Sequence, residues 1–117
     1  MDETTTIEAL KQSVKNFVEE REWQQFHCPK NLSMLLAVES AELMELFLWS
    51  TADSLLQLEK KRVEVEHELA DIAFALLNFC DRYDIDLTTA LKRKIALNAE
   101  KYPIEKSKGK AIKYNEL

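Results

Sequence analysis

The feature that most constrains the fold is a long apolar stretch, HELADIAFALLNF, which covers residues 67–79. From Leu69 to Phe79 every residue is apolar or Ala except Asp71 and Asn78, a composition typical of a helix that is buried on most sides. A carboxylate in such a helix needs a partner, because an unpaired charge taken out of water is costly. Glu68 lies one turn before Asp71 and adds a second negative charge, which makes the need for a partner greater.

The whole chain reads as helical. Its 117 residues include one Gly and two Pro, which leaves little turn chemistry for a fold of many strands. The length suits one domain with a core of three to five helices. We predict an all-α, four-helix bundle-like domain over residues 1–103 and a lysine-rich tail over 104–117.

Helix boundaries follow from the capping residues and the apolar period. The sequence Thr5-Thr6-Ile7-Glu8 predicts a capping box, Asn31 predicts the start of the second helix after a break at Pro29, and Asp86 caps the last helix. Residues 50–54 form a polar break. The predicted helices cover residues 7–22, 32–49, 56–83 and 87–101.

Charge and cysteine content exclude several classes of protein. Residues 1–91 hold 18 acids and 8 bases, so a nucleic acid polymer is not the expected partner. The chain has no apolar run approaching the ~20 residues that a membrane span needs, which predicts a soluble cytoplasmic protein. Cys28 and Cys80 form no C-x-x-C pair and are expected to be reduced thiols.

The acids of the two apolar helices are the strongest functional signal. In the second helix, 13 of the 18 residues from 32 to 49 are apolar, and the same stretch holds Glu39, Glu42 and Glu45. Residues three apart project from nearly the same helix face, so Glu39 with Glu42, and Glu68 with Asp71, each present two carboxylates one turn apart.

If these two helices pack together, four like charges meet. A divalent cation would remove the conflict, and oxygen-only ligands favour Mg²⁺ or Mn²⁺ over zinc. The alternative is that Glu39 and Glu68 lie on the polar rim of a plain bundle and pair with lysines. Zinc protease and di-iron sites are not supported, because H-E-x-x-H ends here in Asp71 and Glu64-x-x-His67 has no second copy.

These residues resemble the MazG-like all-α nucleoside triphosphate pyrophosphohydrolases, whose signature is E-x-x-E followed by E-x-x-D. Here the signature reads Glu39-Ser-Ala-Glu42, 25 intervening residues, and Glu68-Leu-Ala-Asp71. Further segments are similar to the dCTP pyrophosphatase group of that family: REWQQFHCPKNL at 21–32, LMELFLW at 43–49, KIALNAEKYP at 94–103 and IEKSKGKAIKYNEL at 104–117.

The resemblance implies Mg²⁺-dependent hydrolysis of a (deoxy)nucleoside triphosphate, dCTP or a modified pyrimidine deoxynucleotide, to the monophosphate and pyrophosphate. Glu39, Glu42, Glu68 and Asp71 would hold the metal, with Mn²⁺ as a possible substitute. Glu39 or Glu42 would also orient or deprotonate the attacking water, and the sequence does not distinguish them.

The resemblance also implies the substrate contacts. The phosphate-binding set comprises Lys94, Asn98, Lys101 and Tyr102. The nucleoside-binding set comprises Trp23, His27 and Trp49, while Phe26 is expected in the core. For an isolated lysine or tryptophan, an exposed charged face or ordinary core packing is the simpler interpretation.

A small helical domain with this much apolar surface is expected to form a homodimer or homotetramer, as relatives do. The alternative to an enzyme is a non-catalytic helical interaction module with a vestigial metal site. The intact set of four acids favours the enzyme.

Overall fold

In a computed structural model, residues 1–51 and 54–117 are described, and every regular element among them is helical. The chain forms two compact units, Met1–Ile85 and Asp86–Leu117. The first unit contains α1 (Ile7–Glu20), a short 3₁₀ turn (Gln24–Phe26), α2 (Pro29–Glu45), α3 (Leu55–Lys60) and α4 (Arg62–Arg82). The second contains α5 (Leu87–Lys101), α6 (Ile104–Ser107) and a 3₁₀ turn (Tyr114–Glu116). The predicted all-α class is confirmed.

The start of α1 differs by one residue from the predicted capping box. Thr6 is the N-cap, and its hydroxyl accepts a hydrogen bond from the backbone N–H of Ala9 at 3.0 Å. The helix ends at Glu20, two residues earlier than expected. Glu22 has a φ of 52°, in the left-handed region that cannot continue a right-handed helix, so the chain turns there.

Helix α2 begins earlier than predicted, because Pro29 starts the helix rather than breaking it. Proline suits the first helical position, where a backbone N–H has no intrahelical partner. Asn31 is therefore not the cap, and its side-chain amide donates to the carbonyl of Phe26 at 2.9 Å. The helix ends at Glu45, and the next residues continue as turns with i→i−3 hydrogen bonds, such as Leu48 N–H to the Glu45 carbonyl at 3.2 Å.

The single helix predicted for residues 56–83 is divided into α3 and α4. Lys61, with φ −114° and ψ 22°, separates them. Helix α4 ends at Arg82, and Asp84 then adopts a φ of 53°. Residues 52 and 53 of the predicted polar break lie outside the described residues, while the hydroxyls of Ser50 and Ser54 on either side are 3.1 Å apart.

The core of the first unit lies where α4 packs against α1 and α2. Its buried residues are Val14, Val18, Leu32, Val65, Ala75, Leu77, Asn78 and Cys80. The expectation that α4 is buried on most sides is wrong for this chain by itself, since Leu69 is 50% exposed and Asp71 is exposed. The helices that pack against α4 cover only part of its surface, so an apolar stripe remains exposed on it.

The second unit begins as predicted. The carboxylate of Asp86 accepts from the backbone N–H of Thr89 at 2.8 Å, and α5 then runs to Lys101, just before Pro103. The tail returns to the end of this helix, where the rings of Tyr102 and Tyr114 meet edge to face with centroids 6.1 Å apart. The division into residues 1–103 and a tail 104–117 stays a prediction. None of the described helices is long and apolar enough to cross a membrane.

Candidate active site

The four predicted metal-ligating acids converge in the first unit. Glu39 and Glu42 project from α2, and Glu68 and Asp71 project from the α4 surface that packs against it. One carboxylate oxygen from each of the four residues lies within 4.8 Å of the others. We refer to these residues as the four-acid cluster. Glu45, the third acid of α2, is exposed and is not part of the four-acid cluster.

Bringing four carboxylates together has an electrostatic cost that is visible in two of them. The Oε2 atoms of Glu39 and Glu68 are buried and have no hydrogen-bond partner. Desolvation raises the pKa of both carboxyls above the ordinary value of 4.5, with hydrogen bonding and charge repulsion from Glu42 adding to the effect. Asp71 also raises both pKa values. The arrangement is unfavourable for four free carboxylates.

The residues of the four-acid cluster fit a hard divalent cation. All donors are oxygen, and the two orphaned oxygens supply ligand atoms that nothing else in the described chain uses. Glu42 and Asp71 are exposed, so the cluster opens to solvent on one side. Mg²⁺ typically binds in this way, through a few carboxylates and otherwise through water and phosphate oxygens.

The predicted nucleoside-binding tryptophans differ in exposure. Trp23 is 42% exposed and packs edge to face on Phe17 with ring centroids 5.7 Å apart, whereas Trp49 is 94% exposed. A large aromatic ring left almost entirely in water is uncommon unless it has a partner to contact. Phe26, predicted for the core, is 60% exposed, so that prediction is wrong. The 3₁₀ turn before α2 holds it at the surface.

His27 is held in place from two sides. Its Nδ1 accepts a hydrogen bond from the side-chain amide of Asn78 at 3.0 Å, and its backbone carbonyl accepts one from the hydroxyl of Tyr83 at 2.9 Å. Burial lowers the pKa of the imidazole, and the nearby Arg82 guanidinium lowers it further. The ring is therefore neutral near pH 7, with its remaining proton on Nε2.

The predicted phosphate-binding residues lie in the second unit. Lys94, Asn98 and Lys101 share one side of α5, and all three are exposed. The hydroxyl of Tyr102 accepts a hydrogen bond from the backbone N–H of Tyr114 at 3.3 Å. The ammonium of Lys101 lies 4.9 Å from the centre of the Tyr114 ring, a cation–π contact. We call the side of α5 that carries Lys94, Asn98 and Lys101 the lysine face.

The structure adds a polar cavity that the sequence did not predict. It has a volume of about 250 Å³, and Gln24, Asn78 and Arg82 contribute to its lining. Asn78 is 3% exposed. In the sequence, Asn78 could be noticed as the only amide in an apolar run. That position does not reveal its partner, because the contact is with His27, which is 51 residues away.

The fold and the four-acid cluster define a class of protein: an all-helical protein with a carboxylate site for a divalent cation. The MazG-like family matches residues 35–117. The chain belongs to the MazG-like family.

Individual relatives agree with this placement. The chain is 37% identical over 115 residues to "dCTP pyrophosphatase 1" of Rattus norvegicus, a match that covers 96% of this chain and 68% of the relative. It is 33% identical to the protein of that name from Homo sapiens, with the same coverage. A pyrophosphatase structure from Archaeoglobus fulgidus superimposes with a TM-score of 0.80 at 39% identity, covering 82% of this chain and 91% of that one. The predicted enzyme class, a nucleoside triphosphate pyrophosphohydrolase, is confirmed.

Proposed function

We propose that the enzyme hydrolyses dCTP, or a modified pyrimidine deoxynucleoside triphosphate, to the monophosphate and pyrophosphate with Mg²⁺. In this reaction water adds to phosphorus and the anhydride bond between the α- and β-phosphates breaks, so that pyrophosphate leaves. The observation that carries the proposal is the convergence of Glu39, Glu42, Glu68 and Asp71 within 4.8 Å. No plain helical bundle gains stability from that arrangement.

The four-acid cluster would hold the cation. When bound, Mg²⁺ neutralises the negative charge of a triphosphate and polarises the phosphoryl oxygens. Mn²⁺ has the same preference for oxygen and would substitute. The buried Oε2 atoms of Glu39 and Glu68 have no competing hydrogen bond and are the first ligands we would assign.

A carboxylate of α2 would act on the attacking water. Glu39 or Glu42 would accept a hydrogen bond from it and orient it toward phosphorus, or remove its proton. Glu42 is the more exposed of the two and can reach solvent water, while Glu39 is partly buried. Both have the acceptor oxygens that the role requires.

The lysine face would supply the positive charge. Lys94 and Lys101 offer ammonium donors and Asn98 offers an amide, which are groups that bind phosphate oxygens. Tyr102 adjoins Lys101 and would add a hydroxyl. The exposure of all four residues keeps them accessible to a ligand.

The preference for a pyrimidine deoxynucleotide is supported by two observations. Relatives at 33% to 37% identity carry the name dCTP pyrophosphatase 1. Trp23 and Trp49 provide flat apolar surfaces on which a base could stack, and His27 provides a polar edge. The near-complete exposure of Trp49, at 94%, leaves its whole ring free for stacking.

We also propose that the enzyme works as a homodimer or homotetramer in the cytoplasm. Large apolar side chains that are at least half exposed recur on the helices of the first unit: Met34, Val38 and Met44 of α2, Leu55 and Leu56 of α3, and Val63 and Leu69 of α4. A second copy of the chain would remove that surface from water. Both cysteines are free thiols, which fits a reducing compartment. Light scattering after gel filtration would measure the mass, and a monomer would contradict the proposal.

Product analysis tests the reaction directly. The wild type is incubated with each of the four deoxynucleoside triphosphates, with Mg²⁺ or with EDTA, beside Glu68→Gln and the control Glu66→Gln. Glu66 lies on α4 but outside the four-acid cluster, and its side chain is 63% exposed. Monophosphate and pyrophosphate should form only with Mg²⁺, fastest from dCTP, and only in the wild type and the control. Release of inorganic phosphate, or turnover that persists in EDTA, would contradict the proposal.

A further inference from the structure

We propose that the polar cavity next to His27 binds the exocyclic amino group of a cytosine-type base, with Gln24 and Asn78 as the residues that select it. This inference rests on the proposed function and deepens it, because it assigns the base preference to two side chains outside the predicted nucleoside-binding set. The cavity lies between α1, the first 3₁₀ turn and α4, and is hereafter called the amide cavity.

The first observation is an acceptor without a donor. The Oε1 atom of Gln24 is buried and makes no hydrogen bond. A buried carbonyl oxygen in this state has lost its hydrogen bonds to water without replacement, so folded proteins rarely leave one without a partner from a ligand or ordered water. Gln24 lines the amide cavity, where a ligand could reach it.

The second observation fixes the orientation of Asn78. Its Nδ2 group can only donate, so the 3.0 Å contact with His27 makes the imidazole Nδ1 the acceptor. With the amide nitrogen used in this way, Oδ1 is the Asn78 atom that can accept a hydrogen bond from a ligand in the amide cavity, which Asn78 lines. Asn78 is 3% exposed, so its amide meets neighbouring side chains and the amide cavity rather than bulk solvent. The lowered pKa of His27 keeps the imidazole neutral and able to accept.

Two acceptors in one cavity favour a ligand with two N–H donors on one atom. The exocyclic amino group of cytosine has two such donors. Uracil and thymine carry a carbonyl oxygen at the same position, which would place an acceptor against acceptors and leave all of them unpaired. Sites built from hydrogen-bonding groups discriminate strongly against a ligand that lacks the matching group.

The charges around the amide cavity argue for a neutral group rather than an anion. Lys15 and Arg82 line it, but Glu19 and Asp81 line it too. The ammonium of Lys15 lies 4.0 Å from the Glu19 carboxylate. Because the positive charges are accompanied by negative ones, the cavity has no excess of charge with which to hold a phosphate.

The position of Asn78 along α4 agrees with this assignment. It follows Asp71 by seven residues, which places it on the same helix face about 10 Å further along the axis. The sugar and α-phosphate of a nucleotide can span such a separation between a cation at the four-acid cluster and a base at the amide cavity.

The test is the ratio of kcat/KM for dCTP to that for dUTP, which differ in the amino or carbonyl group at C4 and in the proton on the adjacent N3. Gln24→Met removes the acceptor and keeps the shape, and should lower the ratio about tenfold. Gln24→Glu keeps an acceptor oxygen and should retain the preference. The matched control is Gln25→Met, because Gln25 is exposed and its side-chain amide donates to the Glu22 carbonyl at 2.9 Å, outside the lining of the amide cavity. A ratio in Gln24→Met equal to that of the control would overturn the inference while leaving the proposed reaction in place.

A binding measurement keeps the inference testable without turnover. The side-chain amide signals of Gln24 and Asn78 in ¹⁵N NMR spectra of the wild type are followed while dCMP or dUMP is added. Tighter binding of dCMP, with both amide signals shifting, supports the assignment. Equal affinity for dCMP and dUMP, or shifts confined to other residues, overturns it even if the enzyme hydrolyses no deoxynucleotide.

Discussion

The four-acid cluster and the lysine face carry opposite charges. The geometry of the cluster differs from that of an ordinary protein surface, whereas the geometry of the lysine face does not. The cluster brings four carboxylates within 4.8 Å of one another and leaves two buried oxygens without a partner. The lysine face consists of exposed side chains on an exposed helix, as any solvated helix would have. A binding site that destabilises the ligand-free protein can be recognised from its geometry. A binding site with no effect on the free energy of folding looks like ordinary surface.

The largest effects are expected from the cluster. Glu39→Gln should lower kcat/KM by roughly a hundredfold or more, since even the outer-shell partners of metal ligands are worth 10–100-fold. The same change should raise the melting temperature of the metal-free protein, because one of four like charges is removed. Steady-state assays and thermal melts in EDTA measure the two effects. A variant that loses both activity and metal-free stability would contradict the account.

Substitutions on the lysine face should have smaller effects on activity, and their effect on stability should not exceed the contribution of about 0.5–1 kcal/mol from the contact between Lys101 and Tyr114. Lys101→Ala should raise KM about tenfold, the lower range for a hydrogen bond to a charged group. Lys92→Ala is the matched control, because Lys92 lies on the same helix outside the face that contains Lys94 and Lys101. Equal KM values for the two variants would remove Lys101 from the phosphate-binding set.

The pH dependence of stability should separate the two regions without any substrate. The pKa values of Glu39 and Glu68 are raised above 4.5 in the folded state, so the native protein binds more protons than the unfolded chain between that value and the raised ones. The free energy of unfolding should then fall as the pH rises through this window, with the full contribution present below about 4.5.

Thermal melts of the metal-free protein across this window measure the effect. Glu39→Gln should flatten the pH dependence, while Lys101→Ala should leave it unchanged. Saturating Mg²⁺ should also remove it, because ligation favours the ionised carboxylates. A melting temperature that rises with pH in EDTA would show that the four acids are not in conflict.

The smallest effect is expected at the tail. The ring of Tyr114 lies against the ammonium of Lys101 at 4.9 Å, a contact worth about 0.5–1 kcal/mol at an exposed site. Tyr114→Leu should therefore raise KM by about two- to fivefold, and Tyr114→Phe, which keeps the ring, should not. If both variants behave alike, the ring does not position Lys101.

The sequence predicted the parts of the fold that depend on local chemistry. Asp86 marked the start of α5, and the acid pairs on α2 and α4 followed from residues three apart on a helix. The helix boundaries that were predicted wrongly lie at residues that are compatible with either a helix or a helix break. Pro29 can break a helix or begin one, and the polar run before Arg62 can continue a helix or interrupt it.

What the sequence could not give are contacts between distant residues. Asp71 was expected to be buried because its neighbours are apolar, yet it is exposed, since burial depends on which helices pack against α4. The sequence also could not predict the amide cavity, because the orientation of the Asn78 side chain in it depends on the hydrogen bond with His27. Pattern alone identifies which residues share a face and not what that face meets.

The central claim is that Glu39, Glu42, Glu68 and Asp71 together hold a divalent cation, and a titration with Mn²⁺ followed by electron paramagnetic resonance tests it most directly. No nucleotide is added, so the result does not depend on knowing the substrate. Saturable Mn²⁺ binding to the wild type and to Glu66→Gln, displaced by Mg²⁺ and strongly weakened in Glu68→Gln, is the result that the account predicts. Wild-type binding that is absent, or unchanged in Glu68→Gln, would contradict it.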